Sequence, residues 1–224
     1  FTMSGAPNGT WNKTFTAGST ITVLGNFVAT NSGGSSSIIQ NINLQNIALT
    51  GGNPVNLSLG DFCRLQTSHP TPSTAFFDLF TGTKTLSDSS YVYYALQSAN
   101  AVYGGTVQYI ADGVTYGNIL IDLGDKVAEG PLTINGSFLY NGGGYNPPAN
   151  PNYPVFVDSG YTHRIRGNWY LDQYRYFAVS PPFTPTPTPN MPPSATGTII
   201  FDGQNQNIIV NNTAFNHVTV ANTG

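Results

Sequence analysis

Residues that commonly support catalysis or bind metals are few in this chain. Its 224 residues include three histidines, ten acidic residues and one cysteine. His69, His163 and His217 do not follow the spacing of a metal site. Asp172 and His163 are the types found in a serine triad, but no nucleophile-elbow motif accompanies them. The sequence also marks no pair of carboxylates for glycoside hydrolysis, so it predicts no catalytic residue and no enzyme.

Three acidic residues near one turn are the only candidate metal ligands. Asp122, Asp125 and Glu129 carry the oxygen atoms that Ca²⁺ prefers. They lack the dense Asp, Asn and Gly spacing of a known calcium loop, so solvated turn residues are the favoured interpretation. We therefore expect no metal and no cofactor other than attached glycans.

Five N-x-[S/T] sequons are the clearest modification signal. None has proline in its middle position, so each is an acceptor for an N-linked glycan in a secreted protein. The alternative is an unmodified polar surface, since a chain rich in Asn and Thr contains some sequons by chance. The predicted glycosylation sites are Asn8, Asn12, Asn56, Asn135 and Asn211.

Aromatic residues are concentrated in one stretch of the chain. A flat group of aromatic rings would bind sugars, whereas the core of a β-protein also needs many aromatics. The core interpretation is favoured. The residues are Tyr145, Tyr153, Trp169, Tyr170, Tyr174 and Tyr176.

The composition excludes several kinds of partner. Charged residues make up only 8% of the chain, the net charge is −3 and no basic stripe is present. Phosphate binding requires clustered Lys and Arg, so no nucleic-acid partner is expected. Hydrophobic residues at 39% predict a folded chain. Cys63, which has apolar neighbours, is expected to be buried rather than reactive.

Short runs of β-branched and aromatic residues alternate with Gly, Asn, Asp and Pro, which is typical of an all-β protein. About a dozen such strands predict two packed sheets. Asp112-Gly113 predicts a hairpin, and Asp202-Gly203 is expected to join another strand pair. The predicted strands include 20–28, 38–49, 55–59, 75–80, 91–96, 114–123, 132–140, 153–157, 161–166, 169–179, 198–201, 208–210 and 215–220.

The Pro-rich segment, the first residue and the lengths of the apolar runs each support a further prediction. Residues 181–193 read PPFTPTPTPNMPP, which predicts an extended polyproline II loop. Because the numbering begins at Phe1 rather than Met, we expect a signal peptide to have been removed and the protein to be extracellular. No run of 18 apolar residues is present, so no membrane span is predicted in this chain.

The Phe1–Thr16 segment, the Asn-, Thr-, Ser- and Tyr-rich β-body and the sequons together resemble subunits of archaeal thread filaments of Sulfolobus-like crenarchaea. These pili are completed by donor strands and are similar to bacterial type 1 pilins in this respect. The chain lacks the usual disulfide of the bacterial pilins, and it lacks the apolar N-terminal helix of type IV pilins.

The resemblance implies an immunoglobulin-like or pilin-like β-sandwich, completed by the N-terminal strand of a neighbouring subunit. Residues 1–17 would be the donor tail, and residues 18–224 the acceptor body with the Pro-rich loop. Identical subunits would join head to tail into a cell-surface filament for adhesion or biofilm formation, with cell-surface glycans as a further partner. The donor-strand residues would be Phe1, Met3, Gly5, Trp11 and Phe15.

Two alternatives share the same sequence features. Long Pro-rich loops and low charge also suit a viral capsid or fibre protein with a jelly-roll fold. The aromatic residues suit a monomeric carbohydrate-binding adhesin domain.

Overall fold

The strands of the chain are stacked in parallel. The computed structural model describes residues 2–4, 11–15, 21–31, 40–51, 55–96, 107–122, 124–140, 155–170, 175–177, 197–209, 215 and 217–221. Most elements in this part are short strands, which confirms the all-β prediction. Every strand pair within these residues is parallel, and the partners are neighbouring turns of a coil. The described chain is therefore a parallel β-helix.

The described strands form three faces. The first face carries β1 (Thr2–Ser4), β4 (Phe27–Thr30), β7 (Leu57–Leu59), β9 (Lys84–Leu86), β12 (Thr115–Tyr116), β15 (Thr133–Ile134), β18 (Thr162–Ile165), β21 (Thr198–Phe201) and β23 (His217–Val220). The second face carries β2 (Trp11–Thr14), β5 (Gln40–Asn43), β8 (Cys63–Thr67), β10 (Tyr91–Tyr94), β13 (Asn118–Ile121), β16 (Phe138–Tyr140), β19 (Trp169–Tyr170) and β22 (Ile208–Ile209). The third face carries β3 (Ile21–Val23), β6 (Leu49–Gly51), β11 (Gln108–Ile110), β14 (Lys126–Ala128), β17 (Val155–Val157) and β20 (Arg175–Phe177).

The predicted sandwich is wrong in its strand pairing. An immunoglobulin-like sandwich pairs its strands mainly in antiparallel hairpins, as a jelly roll does. Here Asp112 and Gly113 lie in the bend between β11 and β12, which belong to different faces, and Gly113 has a φ of 65°. The bend after β21 likewise leads to the second face, so neither predicted hairpin forms. A tight turn supplies the corner of a coil as well as it supplies a hairpin.

The N-terminal strands belong to the first coil of their own chain. Thr2–Ser4 aligns with Val28–Thr30, and Trp11–Thr14 aligns with Gln40–Asn43. The Phe15 N–H donates to Asn43 O at 3.0 Å, which extends the second pairing. These pairings correct the predicted donor strand for Met3, Trp11 and Phe15.

A column of apolar side chains runs through the inside of the second face. By register each member lies directly above the previous one. Every member is at most 2% exposed. Since one coil cannot bury its inner face alone, this column stabilises the coils only when they are stacked. Its members are Ile42, Leu65, Val92, Ile119, Phe138 and Trp169.

Helical turns replace the third-face strand between β6 and β11. The α-helix α1 spans Pro72–Ala75 and is followed by a 3₁₀ helix at Phe77–Leu79. Residues 75–80 were predicted as a strand, and that prediction is wrong because Pro72 begins a helical turn. Phe76 packs edge-on against Phe27 with ring centroids 5.6 Å apart, so the turn still fills the core.

Polar side chains connect successive corners between the first and second faces. Asn118 Oδ1 accepts the N–H of Ser137 at 2.8 Å, and Ser137 Oγ accepts the N–H of Asn168 at 2.9 Å. Asn168 Oδ1 in turn accepts the N–H of Asn207 at 2.8 Å. Each coil thus satisfies a backbone donor of the next, which fixes the stacking register.

Candidate functional site

The C-terminal end of the stack leaves apolar inner positions exposed. Val218 and Val220 are aligned with the buried Ile199 and Phe201 of the preceding coil. They are nevertheless 45% and 68% exposed. Among the described strands, β23 pairs only with β21. This end therefore presents both an apolar surface and a strand edge.

The N-terminal end presents the opposite edge of the same face. Among the described strands, β1 pairs only with β4, and the register aligns Met3 with the buried Ala29. On the second face, Lys13 is aligned with Ile42 but is itself exposed. The apolar inner column is thus replaced by a cation at this end of the second face.

A row of polar side chains lies on the side of the second face opposite the inner column, and its members Asn41, Tyr93 and Asp122 are themselves buried. The Arg64 Nε donates to Asn41 Oδ1 at 2.9 Å, and Asn41 Nδ2 donates to Gln66 Oε1 at 3.2 Å. The Arg64 guanidinium lies over the ring of Tyr93, 5.5 Å from its centroid. The Tyr93 hydroxyl donates to Asp122 Oδ2 at 2.6 Å. We refer to these five residues as the polar row.

The polar row was not recognised as a site from the sequence. Its members alternate with apolar residues such as Ile42 and Leu65, so each strand is typical of a half-buried sheet. The signal that separates the row from ordinary surface is the contact of Arg64 with both Asn41 and Tyr93. These contacts join residues that are more than 20 positions apart in the chain.

The three acids considered as calcium ligands are not all the solvated turn residues that the sequence favoured. Asp122 and Asp125 are buried beside Lys126, and Glu129 accepts a hydrogen bond from Ser73 elsewhere. The Lys126 Nζ donates to Leu96 O at 3.1 Å and to Gly124 O at 3.3 Å. Burial lowers the pKa of Lys126 to about 7, although the two aspartates oppose this shift. Within the described ranges no group of three or more His, Cys, Asp or Glu side chains is placed to hold a metal ion.

The asparagine side chains of the described sequons differ in their hydrogen bonds and in their exposure. Asn56 donates to Asn26 Oδ1 and accepts the N–H of Thr83. Asn135 donates to Asp88 and accepts from Arg166. Asn12 is exposed on β2, which makes it the most accessible acceptor of the three.

Other predicted positions divide between the core and the surface. Trp169 is fully buried, as the core interpretation predicted, whereas the adjacent Tyr170 is 38% exposed. Cys63 is buried as predicted, and burial raises the pKa of its thiol to about 11. Outside the described residues lie Phe1, Gly5, Asn8, Tyr145, Tyr153, Asp172, Tyr174, Asn211 and the Pro-rich loop. The Tyr176 strand is described, but its side chain is not.

His163 is a core residue whose ring is hydrogen-bonded on both sides. Its Nδ1 accepts the N–H of Leu132 at 3.1 Å, and its Nε2 lies 3.1 Å from Asp158 O. Nδ1 needs a free lone pair to accept, and Nε2 then carries the proton that it donates. Burial therefore lowers the pKa of this imidazole to about 4.

This arrangement predicts a specific pH dependence of stability. Between pH 6.5 and about pH 4, the unfolded chain binds a proton at His163 and the folded chain does not. The free energy of unfolding therefore decreases as the pH is lowered through this range. The expected loss is roughly 3 kcal/mol. Urea unfolding of the wild type and of His163→Gln, measured from pH 8 to pH 4, tests this expectation. The same loss in both proteins would contradict it.

The described residues include no helix with the length and apolarity that crossing a membrane requires. Comparison with protein-family models, curated proteins and solved structures finds no match for this chain.

Proposed function

We propose that this chain is a structural subunit of an extracellular cell-surface filament, in which identical subunits join head to tail. Adhesion or biofilm scaffolding would be its role. The observation that carries the proposal is that, among the described strands, β1 and β23 at opposite ends of the first face each pair on one side only. In this proposal the two edges pair between subunits, and no strand is inserted into a groove.

The two edges are complementary because the stack is parallel. Strand β23 of one subunit would lie beside β1 of the next, just as β1 lies beside β4 within the chain. The backbone N–H and C=O groups of both edges would then be hydrogen-bonded. Such a contact joins two different surfaces and does not close, so it propagates into a fibre.

The side chains at the ends of the stack favour the first face, rather than the second, as the contact between subunits. Val218 and Val220 would be covered by strand β1 of the next subunit, stacked on β23 as β23 is stacked on β21. Because Val218 and Val220 are 45% and 68% exposed, covering them contributes roughly 1–2 kcal/mol each. On the second face, by contrast, Lys13 opposes close apolar stacking, because a charge is costly to bury.

The surface chemistry supports an extracellular location. With only 8% charged residues, the chain relies on Asn, Gln, Ser and Thr for its polar surface. N-linked glycans at exposed sequons such as Asn12, which is aligned with Asn41 on the outer side of the second face, would lie on the outside of the coil.

Replacing both end valines with Asp should abolish assembly. The Val218→Asp/Val220→Asp variant places two charges at the joint, whose burial would cost several kcal/mol. Sedimentation velocity should show polymers for the wild type and monomers for this variant. Tyr109→Ser, on the outside of the third face, is the matched control and should assemble normally.

The variant's thermal unfolding must remain cooperative for this comparison. Equal assembly of the folded double variant and the wild type would reject the proposed joint. A monomeric wild type at every concentration would reject the filament itself.

A further inference from the structure

The polar row contains a guanidinium that is held in place but not neutralised. Arg64 is half-buried, its Nε is bonded to Asn41 and its plane lies over Tyr93. In the part of the chain that the structure describes, no acceptor lies within hydrogen-bond distance of its Nη atoms. Nor does a carboxylate lie within 4.0 Å of the guanidinium there, since the ion pairs found involve Arg164 and Arg166.

A partly buried cation without a counter-ion is costly, and burial indeed lowers the pKa of Arg64. The cost falls when an anion binds. The planar fork of Arg matches a carboxylate through two parallel hydrogen bonds, and this fork is already oriented by Asn41 and Tyr93. Pre-organisation of this kind increases affinity, because less side-chain freedom is lost on binding.

The neighbours of Arg64 suit a sugar. Asn43 aligns with Gln66 and both are partly exposed, so two amides follow one another along the face. Amides both donate to and accept from hydroxyl groups. Tyr93 is only 6% exposed, so its ring supports the guanidinium of Arg64 and leaves the sugar contacts to the amides. The rungs of a parallel sheet are about 4.8 Å apart, which lets successive rungs contact successive parts of an extended chain.

We propose that the polar row binds a polysaccharide that carries carboxylate groups. Arg64 contacts the carboxylate and Gln66 contacts sugar hydroxyl groups, while the buried Asn41 and Tyr93 position Arg64. Asp122 holds the Tyr93 hydroxyl at the far side of the row. This site lies on the side of the coil and does not depend on assembly at the ends.

Binding of polygalacturonate oligomers to the full chain, measured by calorimetry, tests the proposal. The wild type should bind them, and the fully methyl-esterified oligomers should bind at least about tenfold more weakly, because esterification removes the charge. Arg64→Gln should lose a similar factor, and Arg64→Lys should recover only part of it because Lys lacks the fork. The matched control Arg164→Gln, on the outside of the first face, should leave binding unchanged.

Several outcomes would overturn the proposal. These are no binding of polygalacturonate by the wild type, equal binding of the methyl ester, or equal binding by folded Arg64→Gln. Equal or tighter binding of polyglutamate or dextran sulfate would assign the row to anions in general rather than to sugar carboxylates. If Arg64→Gln does not fold, Gln66→Glu serves instead, since a negative charge beside Arg64 should weaken polygalacturonate binding by about tenfold.

Discussion

Replacing Trp169 with Ala is expected to destabilise the protein by about 3–5 kcal/mol. The indole is fully buried in the inner column of the second face. It packs edge-on against Phe138, Phe156 and Phe201 with ring centroids 5.2, 6.0 and 6.1 Å apart. These rings come from all three faces of the coil, so the cavity would loosen every face. Urea unfolding measures the loss.

The adjacent residue provides a matched control. Tyr170 lies on the same strand but points outward, and it is 38% exposed. Tyr170→Ala should cost less than about 1 kcal/mol. Similar losses for the two variants would contradict the assignment of inner and outer positions.

Adding one methyl group at Gly167 is expected to destabilise the stack by about 2–3 kcal/mol. A Cβ atom there would lie 2.3 Å from Gly136 O and 2.4 Å from Gly136 C, in the corner of the coil below. Because these are backbone atoms, they cannot rotate away, and the two coils would have to separate. Thermal unfolding of Gly167→Ala measures the effect.

Gly25→Ala is the matched control for this substitution. Nothing lies within 4 Å of a Cβ at Gly25. Its stability should therefore change by less than about 0.5 kcal/mol. A loss of stability at Gly167 that is as small as the one at Gly25 would show that the corners are not in contact.

The sequence predicts which side chains are buried better than it predicts how strands pair. Leu57 and Leu59 alternate with polar residues and are buried as that pattern indicates. However, alternation places side chains inside or outside whether the neighbouring strand is parallel or antiparallel. The bend at Asp112-Gly113 is equally ambiguous, because a corner and a hairpin require the same local geometry.

The repeat was hidden by unequal coil lengths. Stacked partners on the second face are 19 residues apart from Ile119 to Phe138, but 39 apart from Trp169 to Ile208. A fixed period, the usual signature of a solenoid, is therefore absent. For a related reason the sequence does not predict the polar row, since Arg64 contacts Asn41 and Tyr93 only when the coils are stacked.

Electron microscopy of the purified chain tests the central claim most directly. Nine first-face strands at about 4.8 Å each give an axial length slightly above about 40 Å per subunit. End-to-end joining predicts unbranched threads one coil wide, with an axial repeat of about 40 Å and strand edges that meet between β23 and β1. Isolated particles, or threads in which residues 2–4 of one subunit lie inside another, would contradict it.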